Sequence, residues 1–199
     1  MIKFFLYHTT IYSYTNPVIE STNKILLYPY NDLFQQLVNH RLTISGNPNV
    51  STYLDDYNNR VGFFTYTPPH KSLAINSEAE IISKSQPVFE EKIESKDQWK
   101  YLDEIGNTVD YLPFLCVEKN DSLSEFNRIV NGLKKTSETP YLFARNICLF
   151  INENFNYEKG ITNVYSTIDE VWKIKTGVCQ DFTNVMIQLC RTAKIPSRY

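Results

Sequence analysis

Punctuation constrains this chain more than any other feature. Between residue 1 and about residue 85, proline, asparagine or glycine cuts short the runs of β-branched and aromatic residues. Lys3 to Tyr14 is one run, closed by Asn16-Pro17, and Ile25-Leu26-Leu27-Tyr28 is another, closed by Pro29. Leu37 to Ile44 alternates in its second half and stops at Gly46-Asn47-Pro48. Ser51 to Leu54 enters the polar turn Asp55-Asp56-Tyr57-Asn58-Asn59, and Val61 to Thr67 runs on to Pro68-Pro69. Leu73-Ala74-Ile75 and Glu78 to Ile82 predict two more strands. Strand-length segments at this spacing point to an antiparallel sandwich or barrel. The aromatic content, with 14 Tyr and 12 Phe, leans the same way.

The second half changes texture. Glu90 to Asp97 is a mixed charge run, read as a solvated linker or exposed face, and 86–120 as a crossover. Ser122 and Glu125 have capping-box spacing, with Gly132 as a stop. Thr139-Pro140 reads as an N-cap followed by proline at the first helical position. Ala144, Ile147, Cys148, Ile151 and Phe155 then recur at helical spacing. Thr167 and Glu170 make a further capping box that opens a short helix through Trp172. The expected division is therefore a β-sandwich over 1–85, a linker over 86–120 and a helical domain over 121–199.

Charge narrows the partners. Lys+Arg total 20 against 22 Asp+Glu, a net charge of -2, which offers no general attraction to nucleic acid or anionic membranes. No stretch approaches the roughly 18 apolar residues of a membrane helix. Met1 to Thr10 is too short in its apolar part for a signal core. A cytoplasmic address is expected. Cys116, Cys148, Cys179 and Cys190 show no C-x-x-C spacing, so neither a disulfide framework nor a zinc site is expected. His8, His40 and His70 lack ligand spacing and read as sandwich or turn residues. Walker, Gly-x-Gly-x-x-Gly and His-Glu metalloprotease motifs are absent from the sequence.

One segment invites chemistry. Thr176-Gly177-Val178-Cys179 leads into Phe182, Val185, Met186, Leu189 and Ala193, an apolar helical stripe ended by Ile195-Pro196. Cys179 falls at or just before the first turn, over unpaired backbone N–H groups and the positive end of the helix dipole. That placement favours the thiolate and draws the thiol's pKa below the free value of about 8.5. Cys190, on the same helix about 16 Å further at about 1.5 Å per residue, cannot bond to it and reads as core, as does Cys148. Asp181 either positions groups near the thiol or complements the dipole. Trp172 either walls a groove or fills the core.

Lys175-Thr176-Gly177-Val178-Cys179-Gln180-Asp181-Phe182, with Leu189-Cys190-Arg191 and Ile195-Pro196-Ser197-Arg198-Tyr199, resembles the nucleophile segment of the bacterial transglutaminase-like superfamily. Phe155-Asn156-Tyr157, Gly160-Ile161-Thr162 and Asp169-Glu170-Val171 resemble the stretch before it. His8 to Tyr14, Asn16-Pro17-Val18, Asp56 to Val61, Pro69-His70 and Leu73-Ala74-Ile75 are similar to the sandwich region that often precedes that domain. Asn58 and Lys194 stand where glycine is usual, and Thr183 where alanine is common.

The resemblance implies an α+β chain: an antiparallel β-sandwich, then the helical front of a papain-like transglutaminase core. It implies Cys179 as the nucleophile of a Cys-His-Asp triad, with its backbone N–H as one oxyanion donor. The substrate would be a peptide or protein amide, resolved by water or an amine, and no cofactor would be needed. No histidine here matches the family's catalytic one, so His and Asp are expected downstream of Tyr199, and this chain alone is expected to be inactive. The helix from Cys179 to Lys194 is expected to lack its covering sheet and to promote self-association. The competing reading is a catalytically inactive binding scaffold that presents the sandwich.

Overall fold

The computed structural model describes residues 1–84, 93–163 and 165–199, in two compact units, Met1–Phe89 and Glu90–Tyr199. The class is α+β, with antiparallel strands first and helices after them. The expected boundary after residue 85, and Glu90-Glu91-Lys92 of the charge run, lie outside the described residues.

Among its described residues the first unit has two three-stranded antiparallel sheets. In one, β1 (Ile2–Val18) and β3 (Gln35–Ile44) flank β6 (His70–Ser83). In the other, β2 (Ser21–Ile25) and β4 (Ser51–Leu54) flank β5 (Arg60–Tyr66). Ile44, Leu73 and Ile75 from one sheet meet Ile25 and Phe64 from the other in a shared core. A sandwich results. Two strands run further than the punctuation predicts. β1 passes through Asn16-Pro17 with a register shift between Ser13 and Val18, where proline has no N–H for the ladder. The two strands expected within 73–82 are one, because buried Ser77 continues the inward alternation. Its hydroxyl donates to the Leu27 carbonyl at 3.2 Å, and the His40 ring lies 2.9 Å from it.

Asn58 sits at φ 62° and Lys194 at φ 65°, so both residues standing in for glycine do adopt the left-handed conformation. β1 is an edge strand, and Ile2, Phe5, Tyr7 and Ile11 on it are exposed.

The second unit packs α2 (Leu123–Thr136), α3 (Pro140–Asn154), α4 (Ile168–Ile174) and α5 (Cys179–Thr192) round one apolar cluster. Phe126 and Val130, Phe143 and Ile147, Val171 and Trp172, and Val185 and Leu189 supply its centre. β7 (Asn156–Tyr157) and β8 (Thr176–Gly177) pair in parallel beside them. Helix α1 (Ser95–Gly106) and a 3₁₀ turn at Leu112–Phe114 occupy part of the expected linker. Trp99 of α1 packs edge-on against Phe143, an apolar anchor that the surrounding charges mask in the sequence.

Thr139 caps α3 through the Leu142 N–H, and Thr167 with Glu170 forms the full capping box of α4. The box expected at Ser122 is not made. Instead the Ser122 hydroxyl donates to Asp169 at 2.6 Å, and the Ser122 and Asp121 N–H groups donate to the same carboxylate. Those bonds, led by the Ser122 hydroxyl, hold the Asp169 carboxyl below its usual pKa. α2 also continues through Gly132, whose helical cost of about 1 kcal/mol is met by Leu133 packing on the core. Cys148 is exposed rather than core, because the buried stripe of α3 is Phe143, Ile147 and Ile151, one residue off. The stripe of α5 is covered by this cluster, and none of its large apolar residues is exposed, contrary to the expected bare face.

Candidate active site

The segment that delivers Cys179 is a short strand, an elbow and a helix. Lys175 ends α4 in the left-handed conformation, at φ 50°, and turns the chain into β8. β7 then holds it through Asn156 N–H to the Lys175 carbonyl (2.8 Å) and Glu158 N–H to the Gly177 carbonyl (3.0 Å). Val178 is extended and caps α5, and its carbonyl accepts the first helical bond from Phe182 N–H. Cys179 is the first helical residue, and it is exposed. The Thr183 hydroxyl donates back to the Cys179 carbonyl at 2.7 Å, so the threonine found in place of alanine fastens this turn.

Asp181 resolves toward structure. It is 7% exposed, and its Oδ2 accepts the Val178 N–H at 2.8 Å and the Thr162 hydroxyl at 2.6 Å. The first bond is the reciprocal half of a capping box, made by the third helical residue back to the cap. Gly177 faces it directly: a Cβ there would lie 2.6 Å from the same oxygen. Trp172 is core, 2% exposed and edge-on to Phe126, with its indole N–H donating to Glu125 at 2.6 Å. Cys190 is buried, and burial pushes its thiol up to about 11, so it is the inert member of the four.

The histidines remain in the first unit with local partners. His8 is 2.9 Å from the Thr10 hydroxyl, and His40 is 2.9 Å from the Ser77 hydroxyl. His70 is buried against Tyr14 and Tyr66, 2.8 Å from the Pro68 carbonyl. Among the described residues, no group of His, Cys, Asp and Glu could hold a metal ion. No helix of those residues is long and apolar enough to cross a membrane.

Two residues near the elbow escape sequence reasoning. Thr162 lies in the stretch carrying the resemblance, but nothing there shows that it meets Asp181. It also lines a cavity of about 440 Å³ with Ile161, Tyr165 and Ile174. Lys175 is the other. Its Nζ rests 2.8 Å from the Trp172 ring centroid and 4.8 Å from that of Phe155, with no hydrogen-bond partner among the described residues. Burial lowers its pKa from 10.5 to about 8, partly opposed by Glu125. Between those values the unfolded chain holds a proton that the folded chain has released, so stability rises with pH across that window. Below about pH 8 both states are protonated and the cost of burying the charge is fully present. Lys175→Met keeps the stem and places a thioether on the same rings. It is expected to stabilise the protein at pH 7 by about 1 kcal/mol after solvent screening and to abolish the rise above pH 8. Urea titrations at pH 7, 8.5 and 10 measure both effects.

Comparisons with known proteins divide along the chain. Residues 5–82 match the bacterial transglutaminase-like N-terminal region, and residues 127–199 match the transglutaminase-like superfamily. Uncharacterized proteins of Mycobacterium tuberculosis and Mycobacterium bovis are each 29% identical over 96% of this chain and 62% of their own length. One from Mycobacterium leprae is 24% identical over 96% of this chain and 67% of its own. The chain thus spans about 62% of the length of the first of these relatives. The crystal structure of a "Putative Cysteine Protease" from Cytophaga hutchinsonii shares the fold, with a TM-score of 0.75 at 18% identity. That likeness covers 98% of this chain and 64% of the other.

Proposed function

We propose that this chain, whose residues 5–82 match the bacterial transglutaminase-like N-terminal region and 127–199 the transglutaminase-like superfamily, carries the nucleophile of a thiol enzyme acting on peptide or protein amides. The Cys179 thiolate attacks the amide carbonyl carbon. The C–N bond then breaks, leaving a thioester on Cys179 and releasing ammonia or an amine. Water or a second amine attacks the thioester, yields an acid or a new amide, and returns the thiol. A histidine takes the thiol proton and passes it to the leaving nitrogen, oriented by an acid. Both of those residues are assigned to a longer form of the protein, in keeping with relatives that extend further than this chain. The Cys179 backbone N–H serves as one oxyanion donor, and the scheme uses no cofactor.

The observation carrying this reading is the exposed Cys179 at the first position of a 14-residue helix, on an elbow fixed by β7, Asp181 and Thr183. First-turn N–H groups have no intrahelical partners, so a thiolate there gains both hydrogen-bond donors and the dipole.

The test is the pH dependence of thiol alkylation on the full-length protein, with Cys179→Ala isolating the site from exposed Cys116 and Cys148. Alkylation of Cys179 well ahead of Cys116 and Cys148 across neutral pH is expected. Equal reactivity at all three thiols, or slower reaction at Cys179, would overturn the assignment and favour a binding scaffold.

A further inference from the structure

The Asp181 carboxylate is the least expected group near the elbow. It is buried, and among the described residues none of the observed ion pairs includes it. A buried carboxylate without a cation must be satisfied by donors. Val178 N–H supplies one at 2.8 Å, from the elbow itself, and the Thr162 hydroxyl supplies the other at 2.6 Å. Among the described residues, Thr162 alone ties the carboxylate by a hydrogen bond to a segment outside the strand and helix that carry Cys179. The other charged groups on the strands and loop around the elbow, Glu158, Lys159 and Lys175, are less buried than Asp181.

We infer that Thr162 is a positioning residue for the Cys179 thiol, acting through Asp181; the inference rests on Cys179 being the nucleophile. An acid two residues beyond the cysteine has opposing effects. As an acceptor it fixes the cap residue, and so the direction in which Cys179 leaves the strand. As a negative charge beside the first turn it repels a thiolate and offsets the dipole. The Thr162 bond separates these effects. It holds the carboxylate over Gly177 and spends part of its charge on a second donor, while the elbow stays tied to the loop that lines the neighbouring cavity. Without that hydroxyl, the carboxylate keeps one donor and its remaining charge acts on the thiol.

Thr162→Val preserves shape and removes the donor, whereas Thr162→Ser preserves the donor. The readout is the pH profile of Cys179 alkylation in the full-length protein, with Cys148 as an internal reference. Thr162→Val is expected to slow Cys179 alkylation at pH 7 about tenfold. Thr162→Ser is expected to restore the wild-type profile, with Cys148 unchanged throughout. A Thr162→Val profile superposing on a selective wild-type profile would overturn the inference and leave the nucleophile standing. A wild-type protein without selective Cys179 reaction would overturn both. Should Thr162→Val fail to fold, Thr162→Ala decides instead, because it also removes the donor; it is expected to slow Cys179 alkylation alike, and an unchanged rate would overturn the inference.

Discussion

Alanine at position 177 is expected to cost about 2–4 kcal/mol of stability, from two bonds to a charged acceptor worth about 1.5–3 kcal/mol each, partly retained after relaxation. It should also remove the selective reactivity of Cys179. Backbone freedom is not the cause, since Gly177 is not among the glycines at positive φ. The requirement is space. An added Cβ would meet Asp181 Oδ2 at 2.6 Å, its Cβ at 3.0 Å and its Cγ at 3.1 Å. A side chain this short, rooted in the first turn of α5, can retreat only by releasing Val178 N–H and Thr162 together. A double-mutant cycle isolates the clash: in an Asp181→Ala background the same glycine replacement should cost under about 1 kcal/mol. Guanidinium denaturation of the four proteins measures this. Equal costs in both backgrounds would place the difficulty elsewhere than Asp181.

Trp172→Ala is expected to be the most destabilising single change in the helical unit, at about 3–5 kcal/mol. Its ring is edge-on to Phe126 at 4.6 Å, stacked near Phe150 at 6.1 Å and tilted against Phe155 at 5.7 Å. Truncation would open a cavity among the helices that pack round this ring. Since domains carry only about 5–15 kcal/mol in total, much of the unit's stability would go. Trp172→Phe separates the contributions: it keeps the packing, loses the bond to Glu125, and should cost about 1 kcal/mol. A Trp172→Ala loss below about 1 kcal/mol in the same titration would be incompatible with the ring's place in the core.

Features set by neighbours in sequence were legible from the residues alone. Thr139 before Pro140, and Thr167 three before Glu170, cap their helices as read, because both partners of each cap lie within one turn. The strand at Ser51 to Leu54, bounded by the polar turn after it, and the apolar stripe of α5 are likewise local in origin. So does the arrival of Cys179 at a helix start. Expectations failed where distant residues compete. Ser122 had a local partner in Glu125, but the Asp169 carboxylate supplies a charged acceptor and Glu125 turns to the Trp172 indole. Cys148 fits an apolar period that α3 satisfies one residue earlier. Thr162 and Lys175 had no signature at all, since their roles come from the chain doubling back onto the elbow. The resemblance carried the fold further than periodicity could, by joining the two textures into one α+β chain.

Strand β1 has a consequence in colloidal terms. It runs 17 residues along the rim of its sheet, with Ile2, Phe4, Phe5, Leu6 and Tyr7 all exposed near its start. Lys3 is the one gatekeeper charge in that stretch, and it is engaged with Glu80. A net charge of -2 adds little long-range repulsion between molecules. Rims of this kind recruit further strands unless charge, proline or a cover blunts them. The ceiling on concentration in solution is therefore expected to be set by this rim, while both cores govern only whether each molecule is folded.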